Sequence, residues 1–257
     1  MRARRRHRRA LFDGVANLYR ASRRGYPPEC VQLVIDTAGL GPGSAVLEVG
    51  CGTGQLTGQL AAHGLAVTAI DIGASMITAA RQHLSGSTVW LRVVSFEELD
   101  VPDASFDLII SATAFHWLDP DVKFAKAARL LKAGSWLALL NTEERYDDPL
   151  GSDLRDMWLG RVDSGEAGAG PVRPPAADLT GAESLFGPPL ERSYSRRIVL
   201  PAQTVIGVET TRATFLSWPA HTRQDFAAEL RRRLRHCPDV HLTQQTSLAM
   251  ARVLPRR

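Results

Sequence analysis

The stretch VLEVGCGTGQ, residues 46–55, decides how this chain is read. An apolar run stops on Glu48, and Gly50, Gly52 and Gly54 then follow at every second residue. This is the pattern of a strand that enters a tight turn and then a helix. Glycine-rich turns of this kind offer backbone amides to a nucleotide-like ligand. The first glycines alone do not say which ligand.

Working outward, residues 54–64 read as a helix closed by Gly64, and 65–71 as a second strand ending on Asp71. Residues 74–84 form an amphipathic helix, 88–94 a third strand, and 105–115 contain a fourth. Residues 121–134 read as a helix with a glycine stop, and 135–141 as a fifth strand. Short alternating strands and helices, with strands apolar throughout, predict a parallel sheet covered on both faces. The expected fold is α/β, Rossmann-like and doubly wound. Upstream, residues 17–27 lead into a helix from about Pro28.

After Asn141 the regularity fails. Residues 147–162 fit a helix, 191–200 a strand, 221–236 a helix capped by Thr222, and 240–253 a last strand. Residues 163–190 carry five glycines and five prolines and read as partly flexible loop. The expected organisation is a basic tail over 1–10 and a single domain over 11–257. Within it, 11–142 bind the cofactor, 143–235 form a substrate cap, and 236–257 add the last strand.

Composition narrows the function. With 44% hydrophobic and 23% charged residues, the 257-residue chain is of the soluble globular type. No apolar run nears the roughly 20 residues of a membrane span, and the arginine-rich start lacks the apolar stretch of a secretory leader. The net charge of +4 is a tail effect: six arginines lie in residues 1–9, and without them 25 basic residues face 27 acidic ones, a net of −2. That run reads as a solvated, disordered tail, which argues against a nucleic-acid partner. Cys30, Cys51 and Cys237 are widely spaced, with neither metal spacing nor an even disulfide set. We expect no metal, no membrane and a cytoplasmic protein.

The glycine spacing then separates cofactors. A dinucleotide site reads G-x-G-x-x-G; here it is G-x-G-x-G, and Glu48 two residues before it repels phosphate. An acid there suits an ammonium. Asp71 suits a ribose, whose two hydroxyls one carboxylate can hold by charge-assisted hydrogen bonds. S-adenosylmethionine has those parts and no phosphate.

The stretch resembles motif I of class I S-adenosylmethionine-dependent methyltransferases. AIDIGASMI (69–77) is similar to the family's second strand with its ribose acid. VSFEELDVPDASFDLIIS (94–111) resembles its adenine loop and fourth strand. AFHWLD (114–119) and NLYRASRRGYP (17–27) resemble the small-molecule branch that includes trans-aconitate methyltransferases. The resemblance implies a seven-stranded sheet with the last strand antiparallel. It puts Gly50, Gly52 and Gly54 at the methionine moiety, Glu48 near its ammonium, and Asp71 on the ribose. Met76, Ser95, Phe96 and Glu97 would surround the adenine, and Ser111 is a further cofactor-binding candidate. Ser95 stands where the family commonly has an aspartate, and Arg24 where it has a proline. Tyr19 and Arg23 would cap the ligand, Arg23 meeting its carboxylate.

His116, just past the fourth strand, is the catalytic candidate; an unperturbed imidazole there puts an acid limb in the rate near ~6.5. For the acceptor, the candidates are Tyr26, Arg145, Tyr146, Trp158, Arg212, Phe215 and Trp218. The bland readings stand beside these: Glu48 as a strand-end partner, Asp71 as a helix cap, Met76 as core, His116 as a structural hydrogen-bond partner. The expected activity is methyl transfer to a small molecule. A protein that binds the cofactor without transferring methyl, a nucleic-acid methyltransferase and a nicotinamide oxidoreductase are the alternatives.

Overall fold

In a computed structural model of the chain, residues 12–147, 149–163 and 178–255 are described. The expected basic tail and the centre of the expected flexible stretch, residues 164–177, lie outside them. Strand β1 (Ala45–Val49) pairs in parallel with β2 (Ala66–Asp71) on one side, and β2 with β3 (Trp90–Val93). On its other side β1 pairs with β4 (Phe106–Ala112), and β4 with β5 (Leu131–Tyr146). Strand β6 (Leu190–Pro201) and β7 (Asp239–Arg252) complete seven strands in the order β3-β2-β1-β4-β5-β7-β6, with β7 antiparallel to both neighbours.

Alternation along the strands builds a core on each face. Leu47, Ile109, Leu137 and Leu139 point one way, and Val46, Leu108, Ala138 and Leu140 the other. Helices α1 (Ala16–Ser22), α2 (Pro28–Ala38), α3 (Gln55–Ala62) and α4 (Ala74–His83) come from the first half of the chain. Helix α2 starts with proline in its first turn and ends on left-handed Gly39, as both termini favour. Cys30, Val31 and Val34 of α2 and Leu56 and Leu60 of α3 fill the second core. Helix α5 (Lys123–Leu130) covers the first with Phe124, Ala127 and Leu130.

Past β5 come α6 (Leu150–Asp163), α7 (Ala202–Thr210), α8 (Ala213–Leu216) and α9 (Ala220–Leu234). They close a third core around Trp158, Phe215, Trp218 and Phe226. None of the described helices is long and apolar enough to cross a membrane.

Four expectations are corrected. The helix expected over 121–134 ends at Leu130, because the Arg129 and Leu130 carbonyls accept from the Ala104 and Ser105 amides and draw the chain into pairing with β4. Regularity does not fail at Asn141: β5 runs on to Tyr146, matched residue by residue by β7 from Trp136↔Arg252 to Tyr146↔Leu242. Residues 178–189 are not loose, since Leu179, Ala182 and Phe186 are buried in the first core and Phe186 bridges to Val253. Thr222 is no cap; α9 starts after Pro219, and the Thr222 hydroxyl is buried without a hydrogen-bond partner.

Candidate active site

Parallel α/β sheets present ligands at the carboxyl ends of their strands, where the strand order reverses. Here that is the gap between β1 and β4. The chain leaves β1 with the Gly50 and Cys51 amides donating to the Ile70 carbonyl, at 2.9 and 3.0 Å. Gly50 has φ +74°, and a side chain there would collide with the Ala114 methyl beyond β4. Gly52, at φ +55°, has open space where a Cβ would stand. Of the three glycines, it is the one whose missing side chain leaves room. Gly54, at the start of α3, is packed under Leu84.

The carboxylate of Asp71 organises this turn. Its Oδ2 accepts from the Gly52 amide at 3.0 Å and its Oδ1 from the Gly73 amide at 2.8 Å. It is half-buried at the end of β2, and it does not cap α4, which has no side-chain cap. Glu48 is buried and accepts from the Thr57 hydroxyl at 2.6 Å. Burial, partly offset by that hydrogen bond and reinforced by the Asp71 charge, pushes its carboxyl up to about 8.

The N-terminal segment folds over the same edge. The Arg23 guanidinium lies 5.1 Å from the Tyr19 ring centroid and donates to the Val208 carbonyl at 3.2 Å. It stands 3.8 Å from Glu144, and its Nε is buried without a hydrogen-bond partner. The Tyr26 phenol is held well above its ordinary range, first by burial and then by Tyr19; it stands beside the Thr113 side chain and feels the charges of Glu48 and Arg23. The structure thus brings Tyr19, Arg23, Tyr26 and Glu48 together. Met76 packs with Ala16, Ala79, Phe12 and Tyr19, so α4 is tied to the N-terminal segment.

The adenine candidates and Ser111 are placed differently from one another. Ser95 is buried in a turn, its hydroxyl donating to Glu98 at 2.7 Å. Phe96 is a core residue, 6.4 Å from the Phe115 ring. Glu97 reaches across to accept from the Asp119 amide at 2.9 Å. Ser111 is buried and donates to the Val49 carbonyl at 2.7 Å, tying β4 to the end of β1.

His116 sits in a 3-10 turn (Phe115–Trp117), its ring 4.9 Å from that of Trp117. It lines a cavity of about 90 Å3 with Thr113, Lys123, Asn141, Asp178 and Thr180. Burial, helped by the Lys123 charge, brings the imidazole down to about 4. An acid limb carried by this ring would therefore lie below the ~6.5 of an unperturbed imidazole. A larger cavity, about 310 Å3, opens beside Ser44, Asp107 and Trp136 at the amino ends of the strands, away from these residues.

The acceptor candidates fall into a core and a surface. Trp158, Phe215 and Trp218 are buried, with Trp158 and Trp218 4.5 Å apart, and both rings pack on Phe226. Tyr146 and Arg212 surround Glu209, which is 1% exposed. Glu209 accepts from the Tyr146 hydroxyl (2.8 Å), from Trp158 Nε1 (3.1 Å) and from two Arg212 nitrogens (2.8 and 2.9 Å). Arg145 lies on the opposite face of β5 from Tyr146, exposed and 3.6 Å from Glu143.

Sequence reasoning missed Glu209, Glu144, Lys123 and Thr113. An acid inside the apolar run VIGVET was the available signal for Glu209. Thr113 had none: its φ of 54° is invisible in a sequence, and a β-branched residue in that region costs about 1–3 kcal/mol.

Comparison with known proteins adds the following. A family described as methyltransferase domain matches residues 47–139. An uncharacterized methyltransferase of Mycobacterium tuberculosis is 34% identical over 134 residues, 52% of this chain and 53% of that one. Another, of a Geobacillus species, is 33% identical over 144 residues, 52% of this chain and 67% of that one. A ubiquinone biosynthesis O-methyltransferase of Xanthomonas axonopodis is 40% identical over 114 residues, 42% and 48% of the two chains. The chain spans about half the length of the first of these relatives. A provisionally assigned type II methyltransferase from Anaeromyxobacter dehalogenans superposes with a TM-score of 0.65 at 25% identity, over 91% of this chain and 99% of that one.

Proposed function

The chain belongs to the class I S-adenosylmethionine-dependent methyltransferases, and on that premise we propose that it methylates a small-molecule acceptor held beside His116. The observation that carries this is the chain of neighbours from the open Gly52 turn through Asp71 and Glu48 to Tyr26, Tyr19 and Arg23. The donor set fits the cofactor. Asp71 would take the ribose hydroxyls. Arg23, with its buried unpartnered Nε, would take a carboxylate. Glu48 would face the ammonium.

S-adenosylmethionine, when bound, supplies an electrophilic methyl group. The protein's share is to hold the acceptor in line with it and to exclude water. Tyr19 and Tyr26 cover the carboxyl edge for the second purpose. A neutral imidazole of low basicity is a hydrogen-bond acceptor that orients the acceptor more than it deprotonates it. An acceptor that arrives as a carboxylate or a free amine needs no stronger base. The small-molecule reading is supported by the Xanthomonas relative's role in ubiquinone biosynthesis and by the small cavity at His116.

Calorimetry tests the reading. S-adenosylhomocysteine should bind in the micromolar range, on the order of −8 kcal/mol. Glu48 is protonated below about 8, so ionising it beside an ammonium should release up to about one proton at pH 6.5. The release appears as a dependence of the heat on the buffer's ionisation enthalpy. Tight NAD binding without S-adenosylhomocysteine binding would sink the reading. Acceptors are then screened by release of S-adenosylhomocysteine, and the acid limb of the rate should lie near 4.

A further inference from the structure

The chain leaves β4 through Thr113, which at φ 54° is a β-branched residue in the left-handed region. The turn is held from every side. The Thr113 amide donates to the Leu140 carbonyl at 2.8 Å, so the residue still belongs to the ladder with β5. The next residue, Ala114, lies against Gly50 so closely that no side chain fits on the glycine. The 3-10 turn that carries His116 follows at once. Thr113 is half-buried, lines the His116 cavity, and its side chain meets the Tyr26 phenol.

Glycine or asparagine takes this backbone conformation at little cost, yet the position holds a threonine. Such strain persists only where the surroundings enforce it, and it gathers at active sites and ligand clamps. We propose that Thr113 is a positioning residue: its strained backbone holds the side chain between Tyr26 and the His116 turn, and so sets the rim on which the N-terminal segment closes over the cofactor. The proposal rests on the cofactor reading above. Its signature is that stability and ligand affinity move in opposite directions, which a residue with a purely structural role does not show.

The test uses the full chain with two substitutions, Thr113→Gly and Thr113→Asn, each melted without ligand and titrated with S-adenosylhomocysteine. Thr113→Gly relieves the strain and removes the side chain. Its Tm should rise by about 2–4 °C, while its affinity falls on the order of 10-fold. Thr113→Asn tolerates the left-handed backbone and keeps a polar group, so its Tm should also rise and its affinity should stay within about 3-fold of the parent. A Thr113→Gly protein that is less stable than the parent, or that fails to fold, shows that no strain is stored and overturns the proposal. So does a Thr113→Gly protein that binds as tightly as the parent. The parent titration separates the two levels: no S-adenosylhomocysteine binding there removes the cofactor reading itself.

Discussion

At the carboxyl edge of β1, β2 and β4, two polar side chains are bonded to backbone, while Glu48 is held by the Thr57 hydroxyl. Asp71 holds the Gly52 and Gly73 amides, and Ser111 holds the Val49 carbonyl. In the region built after β5, polar side chains are bonded to each other. Glu209 alone gathers Tyr146, Trp158 and Arg212, and Glu144 lies between Arg212 and Arg23 at 3.6 and 3.8 Å. The first arrangement ties strand ends and the glycine turn to one another through backbone groups. The second is assembled from α6, α7, β5 and the N-terminal segment, far apart in the chain. A backbone-bonded carboxylate at a half-exposed edge stays available to a ligand. A carboxylate consumed by four donors in a closed core is structural.

Four substitutions would break or sharpen this contrast. The largest effect belongs to Glu209→Ala, which leaves the half-buried Arg212 guanidinium with Glu144 alone at 3.6 Å and takes the acceptor from Tyr146 and Trp158. Breaking a buried pair from one side typically costs about 3–5 kcal/mol, measured by urea unfolding. S-adenosylhomocysteine affinity of the folded fraction should be unchanged; a loss under about 1 kcal/mol would make the cap network dispensable.

Glu48→Gln comes next, and its sign depends on pH. The folded carboxyl lies near 8 against about 4.3 unfolded. Its contribution to stability is therefore complete below about 4 and is lost as the pH rises through 8. Parent and variant should be about equally stable at pH 4, with the variant a few kcal/mol more stable at pH 8 and binding S-adenosylhomocysteine without proton release. A parent whose stability does not fall relative to Glu48→Gln across that range contradicts the buried, protonated state.

Asp71→Ala should cost about 1.5–3 kcal/mol, at the level of one charged hydrogen bond, because the half-exposed amides regain water. Unlike Glu209→Ala, it should also abolish micromolar S-adenosylhomocysteine binding. Arg145→Ala is the smallest: an exposed side chain on the far face of β5 should change stability by no more than about 0.5 kcal/mol and leave ligand affinity alone. A tenfold affinity loss there would return Arg145 to the site.

The same contrast explains what was legible. Strands β1, β2 and β4 and the glycine turn announce themselves because parallel strands buried on both faces must be apolar throughout, and a left-handed turn favours glycine; β3 reads as a strand although it is an exposed edge. The polar end of β5, TEERY, reads as loop until β7 supplies its ladder. Trp158, Phe215 and Trp218 suggest a planar acceptor when read singly; their contact with Phe226 makes them a core. Aromatic residues are interchangeable between those two roles in composition, and only their neighbours tell them apart.

The sequence by itself determined the Rossmann-like α/β class, the methyltransferase family with its S-adenosylmethionine cofactor, and the place of His116 after β4, because each rests on short stretches whose residue types and spacing carry the physics. Tertiary structure alone decided that the His116 imidazole is a weak base, that Glu209 absorbs the charge of Arg212, and that Thr113 turns left-handed between Tyr26 and the cavity. Those properties come from burial and from how separate segments pack together, and neither desolvation nor a tertiary contact is written in the order of side chains.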